Sequence, residues 1–229
     1  MDFHAFFLSL RLAAATTAIL LVISTPLAVW LADGRSTGRN VVKAAVALPL
    51  VIPPTVLGFY VLVGLGPLTL VGRILSRLLG HTLAFSFSGL VVASVLYSLP
   101  FAVQPLVVGF ESVPRDVRET ARVLGASRLQ TAMRIVVPLA RTGFVTAAVL
   151  TFAHTLGEFG VVLMVGGDIP GITRTVSIAI FDRVQEAQYG AANAMSLLLI
   201  GVSFVALLVV YSQGRTVQSP SADVGGLRG

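Results

Sequence analysis

Cysteine is absent from this 229-residue sequence, which excludes disulfides and thiolate metal sites. Charge is scarce: Asp, Glu, Lys and Arg make up 11% of the residues, against roughly 25% in an average soluble domain. With 55% hydrophobic residues and a mean hydropathy of +0.91, too little charge is present to coat a water-soluble globule of 24.0 kDa. These shortages exclude a soluble enzyme, a disordered chain and a nucleic-acid-binding module, and they point to an integral membrane protein. Lysine is nearly missing as well, with Lys43 the only one. A phosphate-cradling G-x-x-x-x-G-K-[ST] loop needs a lysine after glycine, but Lys43 follows Val42, so this chain holds no such loop. The H-E-x-x-H and G-x-S-x-G patterns of zinc proteases and serine hydrolases are also missing. The net charge of +6 does not signal nucleic acid, because the cations sit between long apolar runs and not on one basic face.

Those runs are what the sequence has in abundance. A helix needs about 20 apolar residues to cross a hydrocarbon core of roughly 30 Å. The uncharged stretches 12–32, 44–72, 82–110 and 187–214 meet that length, and 142–167 is interrupted only by His154 and Glu158. An all-α membrane protein with about five spans follows, near 12–32, 44–66, 86–110, 142–164 and 190–212, because lipid requires every backbone polar group to be satisfied internally. The first run lacks a clearly basic leader and is longer than a signal core, so it is expected to stay as a span. Eleven of the cations fall on the face that carries the 33–43 loop, the 111–138 loop and the C-terminus, and five on the other. The positive-inside rule then places the N-terminus outside and the C-terminus in the cytoplasm. Residues 213–229, rich in Ser, Gly and Pro, read as a disordered cytoplasmic tail. Pro26, Pro49, Pro53, Pro54, Pro67, Pro100 and Pro105 fall in or beside spans and predict a bent, mobile bundle.

The 111–138 loop is the most informative segment. Ser112 and Pro114 suit a helix start, Val113, Val117, Ala121 and Leu124 share one helical face, and Arg115, Arg118 and Arg122 share another. Gly125 suits a left-handed cap, and Ser127 suits the start of a second helix running to Pro138. The pattern alone fits either a helix lying on anionic lipid or a docking helix for a cytoplasmic partner.

Glu119-Thr120-Ala121, then Gly125, Ile135 and Val137-Pro138, closely resembles the E-A-A…G…I-x-L-P loop of type I ABC importer permeases, with Thr120 and Val137 as mild departures. The stretches Leu48-Pro-Leu-Val-Ile-Pro-Pro-Thr-Val-Leu-Gly-Phe59, Phe85-Ser-Phe-Ser-Gly-Leu90, Leu156-Gly-Glu-Phe-Gly160 and Ile169-Pro-Gly-Ile-Thr-Arg-Thr-Val176 are similar to those of molybdate permease subunits. Sulfate permeases share the Gly-Glu-Phe-Gly pattern and usually carry an additional N-terminal span that is not found here. The resemblance covers roughly residues 5–212. It implies the type I importer fold over 1–212 and a multi-pass place in a bacterial cytoplasmic (inner) membrane. It also implies a homodimer, an external substrate-binding protein and separate cytoplasmic ATPase subunits. Glu119, Thr120, Ala121, Gly125, Ile135 and Pro138 are then the ATPase-coupling residues. No cofactor is expected on this chain, ATP being used by the partner subunit, and no catalytic or metal residues are expected.

Glu158, Pro53, Pro54 and Gly58 are the gate or pathway candidates. An ionisable group inside a span is a functional candidate by default. Glu158 reads either as an outer gate element paired across the dimer or as an interfacial carboxylate bonded to nearby backbone. It lies about 20 residues past Pro138, roughly 30 Å along a straight helix. His154 reads as a packed, hydrogen-bonded residue in preference to a ligand. No arginine lies centrally in a span, so the pathway is expected to use Ser, Thr, Gly and backbone. Arg73, Arg77, Arg174 and Arg183 lie outside, either meeting the binding protein or solvated. The cargo alternatives are tungstate and sulfate. Readings of another class are an intramembrane enzyme using Glu158 and His154, and a membrane scaffold.

Overall fold

In the computed structural model, which describes residues 2–34 and 36–214, every regular element is helical. The predicted tail from residue 215 onward lies outside the described residues. Helix α1 (Phe3–Ala32) opens on Asp2, whose carboxylate accepts the Ala5 N–H at 3.0 Å, and it carries Pro26 inside. It packs against α5 (Phe87–Glu111) and α9 (Arg141–Leu156), and these three form the centre of the bundle. Ser86 caps α5, accepting the Gly89 N–H at 3.1 Å. One core cluster joins Ala28 and Leu31 of α1 to Val103, Leu106 and Phe110 of α5 and Ala147 of α9.

Among the described residues three helices are long and apolar enough to cross a membrane: Phe3–Ala32, Phe87–Glu111 and Tyr189–Ser212, the last within α12 (Tyr189–Gly214). The other two expected spans are broken rods. The 44–66 stretch is not one helix: α2 (Thr37–Ala47) and a 3-10 turn, Leu48–Leu50, meet α3 (Pro54–Leu65) at 106°. Pro49, Pro53 and Pro54 lack N–H donors, and Pro54 forces Pro53 into extended backbone (φ −54°, ψ 136°), so the ladder stops and restarts with Pro54 at the first helical position. The 142–164 stretch is likewise interrupted. Helix α9 ends at Leu156, and a separate helix, Gly160–Gly166, follows after Gly157-Glu158-Phe159. Before α9, the turn through Ala140 bends the chain by 65°. Counting each bent pair as one span gives five.

Close approach depends on glycine where α5 crosses α9. A Cβ on Gly143 would lie 2.9 Å from the Pro105 carbonyl oxygen and 3.0 Å from Gly109 Cα. Small residues of this kind let membrane helices touch backbone to backbone. Lys43 of α2 donates to Glu111 at the end of α5 at 3.1 Å, tying two elements that are 68 residues apart in sequence.

Candidate functional site

Two places carry the residues singled out by the sequence. The first is the 111–138 loop. After Ser112-Val113-Pro114 the chain forms a short helix, Arg115–Val123. Its end is a Schellman turn: Gly125 takes φ +87°, and the Ala126 N–H reaches back to the Ala121 carbonyl at 3.0 Å. A capping box follows, in which the Gln130 N–H donates to Ser127 Oγ at 3.2 Å and the Ser127 N–H donates to Gln130 Oε1 at 2.9 Å. The next helix, Arg128–Thr131, slips into a π turn, Ala132–Val136, before Val137–Leu139. Pro138 has no N–H to give, and the preceding Val137 N–H bonds five residues back to Ala132.

The loop is seated on the bundle through Val113, Ala121 and Val136, all buried, and through Arg118, whose guanidinium donates to the Phe110 carbonyl. Glu119 and Thr120 face outward, Ile135 is half-buried and Pro138 exposed. Leu124 departs from the face predicted for it. It is 81% exposed beside Val123 at 86%, because the helix spans only Arg115–Val123, so Val113 lies ahead of it and Leu124 past its end. Two neighbouring apolar side chains thus stand free at the tip of a charged loop, which soluble surfaces avoid and docking surfaces use.

The second place surrounds Glu158, in the break after α9. Its side chain is 5% exposed, and Oε2 accepts a hydrogen bond from Ser94 of α5 at 2.9 Å. Among the described residues Oε1 has no partner. The bend at Ala140 and the break at Gly157 mean that no single straight helix runs from Pro138 to Glu158, although α9 fills most of the interval. Its observed partner is a hydroxyl from another helix, not nearby backbone. One turn earlier, His154 Nδ1 lies 3.0 Å from Ser98 Oγ, and its ring stacks on Phe101 with centroids 3.9 Å apart. His154 is packed and hydrogen-bonded, as its sequence setting suggested. Ser98 also lies 3.0 Å from Thr155 Oγ1. Ser94 and Ser98 therefore fasten α5 to the end of α9 and the break beyond it. Sequence inspection passes over both serines, because their partners are 56 to 64 residues away.

A cavity of about 630 Å³ opens beside this ladder, lined by Pro54, Thr55, Tyr97, His154, Glu158 and Met164 among others. Gly160 faces Pro54 so closely that a Cβ would come within 2.7 Å of it, and a Cβ on Gly58 would come as near to Met164. Pro54 and Glu158 therefore line one cavity, whereas Gly58 packs behind it against Met164 of the lining and Pro53 sits at the adjoining joint.

On the opposite side of the break from α9, the 168–176 loop is a closed turn. Arg174 donates to both oxygens of Asp168, at 2.5 and 2.8 Å, and lies 3.4 Å from Asp182. The bond from Arg174 holds the Asp168 carboxyl below the ordinary carboxylate range. Partial burial and the neighbouring Asp168 push Asp182 up. Arg174 is thus ion-paired within its own loop. Arg183 is likewise paired, with Glu186 at 2.9 Å.

Residues 24–218 match the family described as "Binding-protein-dependent transport system inner membrane component". The chain is 52% identical over 214 residues to the molybdenum transport system permease protein ModB of Azotobacter vinelandii, covering 93% of this chain and 95% of that protein. It is 32% identical over 210 residues to the protein of the same name in Escherichia coli K12, covering 91% of each. Among solved structures, a bacterial ABC transporter that imports the acidic polysaccharide alginate aligns with a TM-score of 0.73 at 20% identity, over 95% of this chain and 80% of that one. The methionine ABC transporter MetNI in inward-facing conformations aligns with a TM-score of 0.71 at 17% identity, over 96% and 97%.

Proposed function

Because the chain belongs to the inner membrane components of binding-protein-dependent transport systems, we propose that it is the permease subunit of an ATP-driven importer that carries molybdate inward by alternating access. The observation that carries the cargo is the 52% identity, over nearly the whole of both chains, with a molybdenum permease. Tungstate and sulfate are the competing cargoes, since all three are tetrahedral dianions that differ mainly in size.

The chain is the non-catalytic member of the assembly. ATP is bound and hydrolysed by separate cytoplasmic subunits, in keeping with the missing lysine loop. The helix ending in Glu119, Thr120, Ala121 and Gly125 sits in a groove of the ATPase, with Val123 and Leu124 as its apolar tip. Ile135 and Pro138 carry its displacement into the bundle through the π turn. Two copies of the chain enclose the pathway, and an external binding protein delivers the cargo. ATP then biases a two-state element, drawing the two loops together and switching the bundle between its inward-open and outward-open forms.

Glu158 acts as part of the outer gate, held by Ser94 beside the cavity it shares with Pro54, with Gly58 packed against Met164 of the lining and Pro53 at the adjoining joint. Replacing Glu158 by Gln keeps shape but removes the carboxylate, and uptake is expected to fall about tenfold with the chain still folded. Unchanged uptake in vesicles would remove Glu158 from the gate.

The cargo is tested by measuring cellular molybdenum, tungsten and sulfate in cells lacking the chain and in cells given it back. A molybdenum deficit rescued by the chain, with sulfate unaffected, is the expected result. A deficit in sulfate or tungsten alone would overturn the cargo and keep the permease.

A further inference from the structure

A groove of about 930 Å³ lies at the end of the bundle that carries the 111–138 loop, between the last turns of α5 and the first turns of α9. Its lining includes Gly109 and Gly143, where the α5 and α9 backbones touch. Gln104 stands on the α5 wall, and Thr142 and Thr146, one turn apart, on the α9 wall. At the mouth stands Arg141, exposed and, among the described residues, without a carboxylate in salt-bridge reach. It is the one ionisable side chain in the lining, and no acid shares the groove. Glu111, the residue before Ser112 of the lining, is engaged by Lys43 on α2.

We propose that this groove is an oxyanion site on the exit side of the pathway, with Arg141 as the residue that takes a tetrahedral dianion after it has passed the gate. The proposal rests on the importer reading above and adds a binding group that the pathway otherwise lacks. A guanidinium stays charged at any physiological pH and presents forked donors that fit two oxygens of one oxyanion. The Gln104 amide and the Thr142 and Thr146 hydroxyls supply neutral donors to the remaining oxygens. One exposed arginine with neutral neighbours gives a weak site. That suits an exit, where a tight one would hold the cargo. A phosphate of an anionic lipid headgroup offers the same chemistry, and the test separates the two sources.

The assembly of permease, ATPase and binding protein is reconstituted in vesicles, and molybdate uptake is followed against the concentration of loaded binding protein. Arg141→Gln is expected to lower the maximal rate about tenfold at an unchanged half-saturating concentration, with Arg141→Lys restoring part of it. The natural chain has no cysteine, so Arg141→Cys offers a single thiol on this subunit. A methanethiosulfonate bearing an ammonium group should restore uptake, and one bearing a sulfonate should lower it further, with the unaltered assembly as the reagent control. The deficit should persist in vesicles of phosphatidylcholine alone. Normal uptake by Arg141→Gln overturns the site. Equal restoration by an uncharged reagent reduces Arg141 to bulk and also overturns it. A deficit that appears only with phosphatidylglycerol present assigns Arg141 to lipid. No molybdate uptake by the unaltered assembly overturns the cargo reading together with this one, whereas normal uptake by both forms overturns this one alone.

Discussion

Gly143→Leu is expected to prevent the bundle from holding together. The α5 and α9 backbones meet at Gly143 and Gly109, and a Cβ on Gly143 would already sit 2.9 Å from the Pro105 carbonyl oxygen. The obstructing atoms are backbone, which cannot step aside as a rotamer does. Overpacking a core by ordinary side-chain clashes costs about 1–3 kcal/mol, and a backbone clash lies at or above the top of that range. Since whole domains are stable by about 5–15 kcal/mol, the variant should show a large drop in the unfolding temperature of the purified protein, with Gly143→Ala intermediate. Gly201→Leu on α12 is the control, because a side chain there meets nothing within 4 Å. If Gly143→Leu melts with the parent, α5 and α9 do not cross where the structure puts them.

Gly125→Val is expected to abolish uptake while leaving the bundle intact. Gly125 holds φ +87°, and a β-branched residue resists that region by about 1–3 kcal/mol. The Schellman turn would open and the exposed pair Val123 and Leu124 would be re-aimed. The cost falls on one surface loop, so thermal stability should change little. Association with the ATPase and uptake should both fall by more than about tenfold, because hot-spot contacts fail when their geometry does. Asparagine tolerates the left-handed region better than alanine or valine. Activity should therefore rank Gly, Asn, Ala, Val in descending order. An order that follows side-chain size, with Ala above Asn, would point to steric contact with a partner and away from the turn.

Gly125 and Ser127 illustrate what a sequence makes legible. Each acts on backbone groups within a few residues, so local spacing was enough to place the turn and the second cap. The apolar runs were legible for a different reason: their length is set by bilayer thickness and not by tertiary contacts. What stayed hidden lies inside those runs. Residues on both sides of Gly157-Glu158-Phe159 are equally apolar, so hydropathy is blind to the helix break there. The prolines at 49, 53 and 54 signalled a kink, but not one of 106°. Leu124 shared a helical face with Val113 on paper, but the helix spans only Arg115–Val123 and leaves both residues outside it. Ser94 and Ser98 gave no signal at all, because each is an ordinary small residue until a helix 56 to 64 positions later arrives beside it.

The contact between Lys43 and Glu111 has a practical side. Lys43 is the only lysine, and its partner Glu111 is both the last residue of α5 and the first of the 111–138 loop. An amine-directed label or crosslinker therefore has one side-chain address on this subunit, apart from the α-amino group. That address is the joint between α2 and the base of the loop. The rate at which it is labelled reports how long the ion pair stays open, which makes the chain's poverty in lysine a ready-made reporter of motion at that joint.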